Sequence, residues 1–144
     1  MKTNKIVLIS LVLLVASLAG SSVLFAEDMT SADFIAEAKS HIKTVSVTEA
    51  KSLFDRGGYV FLDVREPNET AMGIVPGAIQ VPRGLLEFRI ATTVEDKNAN
   101  IVVYCKSGGR SSLATYTLVR MGYKNAVSMD GGWGAWEEAA YPVE

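Results

Sequence analysis

The chain has 144 residues, 49% of them hydrophobic and 21% charged, a balance that fills one compact domain and excludes a disordered chain. A formal net charge of −2 argues against nucleic acid as a partner, and a single cysteine excludes an internal disulfide framework. One Cys and one His cannot assemble the usual zinc ligand set, and no phosphate-binding glycine motif occurs, so no metal and no cofactor are expected.

Lys2 and Lys5 precede an uncharged apolar run from Ile6 to Ala26, which reads as an export signal over residues 1–26. Gly20, Ser21 and Ser22 interrupt the second half of the run and favour cleavage. The alternative is a retained membrane anchor through residues 6–26, since about 20 apolar residues span a bilayer. The expected location is therefore exported, in the periplasm, with no membrane contact after cleavage. Loss of this segment lowers Lys+Arg from 14 to 12 against 16 Asp+Glu, and the net charge moves to −4. An unpaired thiol in an exported chain is either inert and buried or reactive.

Residues 27–44 read as an N-terminal helical extension and residues 45–144 as the main domain. A helix is expected from Thr30 to Lys43, with Phe34, Ala38 and Ile42 at four-residue spacing. Val45-Ser46-Val47 is a candidate strand, followed by a helix capped by Thr48, containing Lys51 to Asp55 and ending at Gly57-Gly58. Tyr59 to Val64 and Ile101 to Tyr104 are nearly continuous apolar runs, as in strands buried on both faces of a sheet. Between them lie a helical turn at Pro67–Thr70, a strand at Ile79–Val81 and a helix from Gly84 to Thr93. A helix starting near Ser111 places Leu113, Ala114, Thr117, Leu118 and Met121 on one face before Gly122. Ala126 to Met129 forms a last strand, then Gly131-Gly132 leads into a terminal helix whose Trp133 and Trp136 belong to the core. Such alternation defines an α/β fold with a mostly parallel sheet and helices on both faces, plus the extra N-terminal helix.

In such sheets the chemistry sits beyond the carboxyl ends of the strands. Those ends carry Asp63-Val64-Arg65-Glu66, Pro82-Arg83-Gly84, Cys105-Lys106-Ser107-Gly108-Gly109-Arg110 and Asp130-Gly131-Gly132-Trp133. Cys105 thus faces a rim rich in cations. Gly108 and Gly109 let the loop curl so that its N–H groups, with those of the following helix, point at the sulfur. Amide dipoles, Lys106 and Arg110 favour a thiolate there, and a persulfide equally, so the residues suggest a nucleophile that holds a transferable sulfur. Two bland readings stand beside this: Lys106 as a solvated lip residue, and Arg110 as a strut on Glu66 or Glu69. Arg65 and Arg83 are open in the same way.

Phe61-Leu62-Asp63-Val64-Arg65-Glu66, Gly73 to Pro82, the cysteine loop, Asp130-Gly131-Gly132-Trp133 and Tyr141-Pro142-Val143 together resemble the successive motifs of a rhodanese domain, from about Val45 to Val143. The resemblance implies a five-stranded parallel sheet flanked by helices and a cysteine persulfide. It also implies transfer of sulfane sulfur from thiosulfate, a small anionic donor, to cyanide or a thiol acceptor. Position by position, Cys105 matches the nucleophile, and Lys106, Ser107, Gly108, Gly109 and Arg110 match the sulfur-binding loop. Asp63 and Arg65 match a supporting pair, and Arg83 is grouped with them as a further supporting residue. Ile74 and Gln80 depart from the frequent histidine and asparagine, in a loop away from the chemistry. His41 is expected on the surface, and the chain is expected to act as a monomer. The rival readings are a cysteine phosphatase and a non-catalytic persulfide carrier or protein-binding module. Only four residues separate Cys105 from Arg110, one fewer than such phosphatases use, and Tyr104 stands where they usually place histidine.

Overall fold

The computed structural model describes residues 28–144; the expected export signal and the alternative anchor lie outside them. Five parallel strands form one sheet in the order β1-β5-β4-β2-β3: β1 Lys43–Val45, β2 Val60–Asp63, β3 Ile79–Gln80, β4 Ile101–Tyr104 and β5 Ala126–Met129. The central strands β2 and β4 are the apolar runs of the sequence, and β4 is buried throughout. Helices α4 (Leu86–Thr93) and α5 (Gly109–Arg120) cover one face, where Leu62, Val103, Leu86, Ile90, Ala114 and Leu118 pack together. Helices α2 (Val47–Arg56) and α6 (Gly132–Glu138) cover the other, where Phe61, Val102, Ala50, Trp133 and Trp136 meet. Helix α3 is the short turn Pro67–Thr70, and a 3₁₀ turn at Arg83–Leu85 precedes α4. Helix α1 (Ser31–Ser40) lies outside the sheet and packs against α5. Among the described residues no helix is long and apolar enough to cross a membrane.

The structure corrects several boundaries. Helix α1 stops at Ser40, because β1 begins at Lys43, where the sequence extended the helix. Its inward face is Ile35 and Ala38, three residues apart, while Phe34 is 48% exposed. The first strand is Lys43–Val45, and Ser46 caps α2 in place of Thr48. Ser46 prevails because it has a reciprocal partner: its Oγ accepts from Glu49 N–H at 3.2 Å while the Glu49 carboxylate accepts from Ser46 N–H at 2.7 Å. Helix α5 starts at Gly109, two residues earlier than expected, so Gly109 and Arg110 are helical and only Cys105 to Gly108 form the connecting loop. The buried face of α5 is largely small and polar, with Ser111, Ser112, Ala114 and Thr115 beside Leu118.

Candidate functional site

Parallel register brings the site together. Asp63 pairs with Tyr104 across β2 and β4, and Val103 pairs with Ser128 across β4 and β5. Because side chains alternate along a strand, Cys105, Val103 and Ser128 share the α5 face. Cys105 therefore leaves the sheet against the start of α5 and is only 1% exposed.

The chain reverses after Cys105 by placing Gly108 in the left-handed region, at φ 104° and ψ −16°, as the N-cap of α5. A Cβ at Gly108 would meet only ordinary contacts, so backbone conformation rather than space calls for glycine there. The turn aims two amides at the sulfur. Gly108 N–H donates to Cys105 Sγ at 3.2 Å and Ser111 N–H at 3.4 Å. Below them the thiol donates to Ser111 Oγ at 3.7 Å, and Ser128 donates to the same Ser111 Oγ at 3.0 Å. Two amide N–H groups at the N-terminus of a twelve-residue helix thus point at the sulfur, where they can donate to negative charge that develops there.

The loop is also held from the opposite face. Trp133 N–H donates to the Cys105 carbonyl at 2.7 Å and Gly134 N–H to the Lys106 carbonyl at 3.0 Å, so the first turn of α6 docks on the loop backbone. Gly132 makes that approach possible. A Cβ there would collide with the Cys105 carbonyl oxygen and come within 2.9 Å of the Lys106 carbonyl.

The expected cation-rich rim is present, but each of its cations has a carboxylate partner. Arg110 forms a two-pronged pair with Glu69, Nη1 to Oε2 at 2.6 Å and Nη2 to Oε1 at 2.7 Å. Among the two readings of Arg110 this is the strut, with Glu69 rather than Glu66 as its partner. The Arg110 fork holds the Glu69 carboxyl at about 2, well below its ordinary 4.5, and Glu69 in turn raises the guanidinium, with a smaller contribution from Cys105. Lys106 reaches the Glu137 carboxylate at 3.4 Å with both side chains exposed, and Ser107 is exposed beside it. Arg83 is drawn away by Glu87 at 2.9 Å and donates to Thr117 Oγ1 at 3.1 Å, joining the 3₁₀ turn to α4 and α5. Lys39 on α1 pairs with Asp130 at 3.0 Å beyond β5.

Asp63 and Arg65 form a buried pair. Arg65 Nη2 and Nε donate to Asp63 at 2.6 and 3.0 Å, and Nη2 also donates to the Gly73 carbonyl at 2.8 Å. The guanidinium lies 4.5 Å from the Trp133 ring centroid. Burial opposes its charge, but the hydrogen bonds and charge of Asp63 outweigh that and raise it. Burial first, then the Asp63 charge, pushes the Tyr104 phenol up, and its oxygen accepts from Val75 N–H at 3.1 Å. This pair thus fixes the end of β2, the loop at Gly73 and α6 around the cysteine. His41 is exposed and stacks on Tyr116, away from the sulfur. Among the described residues no group of three His, Cys, Asp or Glu side chains is close enough to hold a metal ion.

Nothing in the sequence pattern marks Ser111 or Ser128 as site residues. The only signal available is that Ser128 falls on the inward phase of β5, alternating with Val127, and that Ser111 follows Arg110 directly at the helix start.

A sheet of this order with a cysteine cradled at the helix after β4 defines an α/β domain of the rhodanese type, and comparison with known proteins agrees. The model of the rhodanese-like domain matches residues 46–139, so the chain belongs to that family. It is similar to a sulfurtransferase from Allochromatium vinosum, 33% identical over 65% of this chain and 86% of the relative. It is equally similar to a thiosulfate sulfurtransferase from Pseudoalteromonas translucida, 33% identical over 67% of this chain and 90% of that one. Among solved structures it resembles a protein of unknown function from Rhodopseudomonas palustris described as a possible tyrosine phosphatase. That match has a TM-score of 0.77 at 32% identity and covers 83% of this chain and 97% of the other.

Proposed function

We propose that the protein is a sulfurtransferase that carries sulfane sulfur as a persulfide on Cys105, taking it from thiosulfate or a related anion and passing it to cyanide or a thiol. The observation that carries this reading is the pair of amides on Cys105 Sγ, from Gly108 at 3.2 Å and Ser111 at 3.4 Å. In the first half-reaction the Cys105 thiolate attacks the outer sulfur of thiosulfate. A new sulfur–sulfur bond forms at Sγ, the bond to the sulfonate group breaks, and sulfite leaves with the electron pair. In the second, cyanide or a thiolate attacks the outer sulfur, and the electron pair of the Sγ–S bond returns to Cys105. Backbone amides stabilise the charge at each stage, so no histidine base is required. The paired rim means that the anionic donor is met mainly by these amides, with Lys106 the most readily freed cation, since both partners of its ion pair are about half exposed.

A phosphatase reading draws on the description given to the Rhodopseudomonas palustris protein. Against it stand the four-residue spacing between Cys105 and Arg110 and the occupation of the Arg110 fork by Glu69, so that the guanidinium at the end of the loop is already paired. A persulfide carrier loaded and unloaded by protein partners uses the same sulfur and differs only in turnover. In this reading the protein acts as a monomer after export to the periplasm, which fractionation of expressing cells and sedimentation of the mature chain would check.

Three measurements on one preparation separate the readings: thiocyanate formation from thiosulfate and cyanide, hydrolysis of an aryl phosphate, and intact mass after thiosulfate. The expected result is turnover without phosphate release, and a one-sulfur adduct on Cys105 that cyanide removes. Cys105→Ser should lose both the adduct and the turnover. Sulfur transfer surviving in that variant, or aryl phosphate hydrolysis exceeding it, overturns the proposal.

A further inference from the structure

Behind Cys105 lie two hydroxyls that the mechanism above does not use. Ser111 and Ser128 are fully buried, one at the start of α5 and one on β5. A serine hydroxyl has one proton and two acceptor positions, so its bonding can be followed atom by atom. Ser111 Oγ gives its proton to the Gly108 carbonyl at 3.1 Å and receives protons from Ser128 Oγ at 3.0 Å and the Cys105 thiol at 3.7 Å. That is the arrangement of the neutral thiol. The Gly108 carbonyl, however, also accepts from Ser112 N–H at 3.1 Å and from Ser112 Oγ at 2.7 Å. Three donors compete there for two lone pairs, so the carbonyl stays satisfied if Ser111 turns away.

We propose that Ser111 is a catalytic residue whose hydroxyl swings from the Gly108 carbonyl to Cys105 Sγ whenever that sulfur becomes a thiolate, and that Ser128 is the positioning residue that holds it. This rests on the persulfide chemistry proposed above. In the discharge step the acceptor attacks the outer sulfur, the Sγ–S bond breaks, and its electron pair arrives on Sγ. Sγ then has no proton to donate and needs donors. Two amides already face it, and the Ser111 proton becomes the third without any backbone movement. Ser128 keeps donating to Ser111 Oγ in both orientations, which fixes that oxygen beneath the sulfur and polarises its O–H toward the new charge. The arrangement strengthens as charge develops on the leaving sulfur, so it assists discharge more than it assists resting binding.

The test is single-turnover discharge of preformed persulfide by cyanide, followed by intact mass, in the full-length protein. Ser111→Ala should slow discharge about tenfold, the size expected for one hydrogen bond to a charged group. Ser128→Ala should slow it by about threefold, and the double variant should be no slower than Ser111→Ala alone, because Ser128 acts only through Ser111. Ser111→Thr, which keeps the hydroxyl, should recover most of the rate. Thermal unfolding of each variant separates misfolding from the effect, and Ser128→Ala, which removes a single oxygen atom, serves if the Ser111 variants do not fold. Multiplicative slowing in the double variant, or discharge rates equal to the parent protein in folded variants, overturns the inference. If the parent protein forms no persulfide at all, the failure lies with the proposed function.

Discussion

At the scale of single residues, the chemistry depends on groups whose partners decide their behaviour. Asp63 and Arg65 are both buried, so their pair is retained at a desolvation cost, and removing one charge exposes that cost. Asp63→Asn leaves the Arg65 guanidinium buried against Trp133 and the Gly73 carbonyl with no carboxylate bonded to it. Equilibrium denaturation should show a loss of about 3 kcal/mol or more, and a loss under about 1 kcal/mol would mean that water or another carboxylate replaces Asp63. Cys105 is legible in the sequence because an apolar strand ends on it and two glycines follow it, which puts the thiol at a strand-to-helix turn where amides converge. Ser111 and Ser128 are not, because a serine on a helix or strand looks the same whether it faces water or a sulfur. Only the register pairing Ser128 with Val103 puts it on the α5 face, the side on which Cys105 lies.

At the scale of elements, local rules read correctly where one signal dominates and fail where two compete. The apolar run Ile101–Tyr104 and the Pro67–Thr70 turn have the limits read from the sequence, since no neighbouring residue offers another boundary. Around residues 43–48 two hydroxyl residues could cap α2, and only the return bond from Glu49 selects Ser46. Phe34 draws the reading of α1 slightly off its inward face, which keeps Ala38 but has Ile35 in place of Phe34, because hydrophobicity alone says nothing of which side α5 covers. The docking of α6 on the cysteine loop is a further element-scale feature, and its test compares two glycines of that helix. Gly132→Ala puts a methyl group into the Cys105 and Lys106 carbonyls at φ 56°, and should cost about 3 kcal/mol or more, visible as a lowered thermal midpoint. Gly134→Ala meets the Lys106 carbonyl oxygen at 3.4 Å in an ordinary helical conformation, and should stay within about 1 kcal/mol of the parent. Equal losses would show that the close approach at Gly132 does not set the cost, since Ala is the better helix former at both positions.

At the scale of the whole molecule, the paired cations do more than shape a rim: they join segments far apart in sequence. Lys39 and Asp130 tie α1 to the end of β5, and Arg110 and Glu69 tie α5 to α3. Stability should therefore depend on acid through the second of these pairs. The Glu69 carboxyl sits at about 2 in the folded protein against an ordinary 4.5, so the unfolded chain takes up the proton more readily. Its contribution is complete above about pH 4.5 and is lost as the pH falls toward about 2. With side chains 27% and 35% exposed, water screens the pair, and the contribution is about 1 kcal/mol rather than the full shift. Glu69→Gln cannot titrate at this position. Denaturant midpoints taken at about pH 5.5 and about pH 3 should therefore fall less for Glu69→Gln than for the parent, by roughly half of that contribution, about 0.5 kcal/mol. The difference should shrink in high salt, because a partly exposed pair is screened. Parallel losses in the two proteins would place the acid sensitivity in other carboxylates and leave the bond between α3 and α5 a geometric tie without energetic weight.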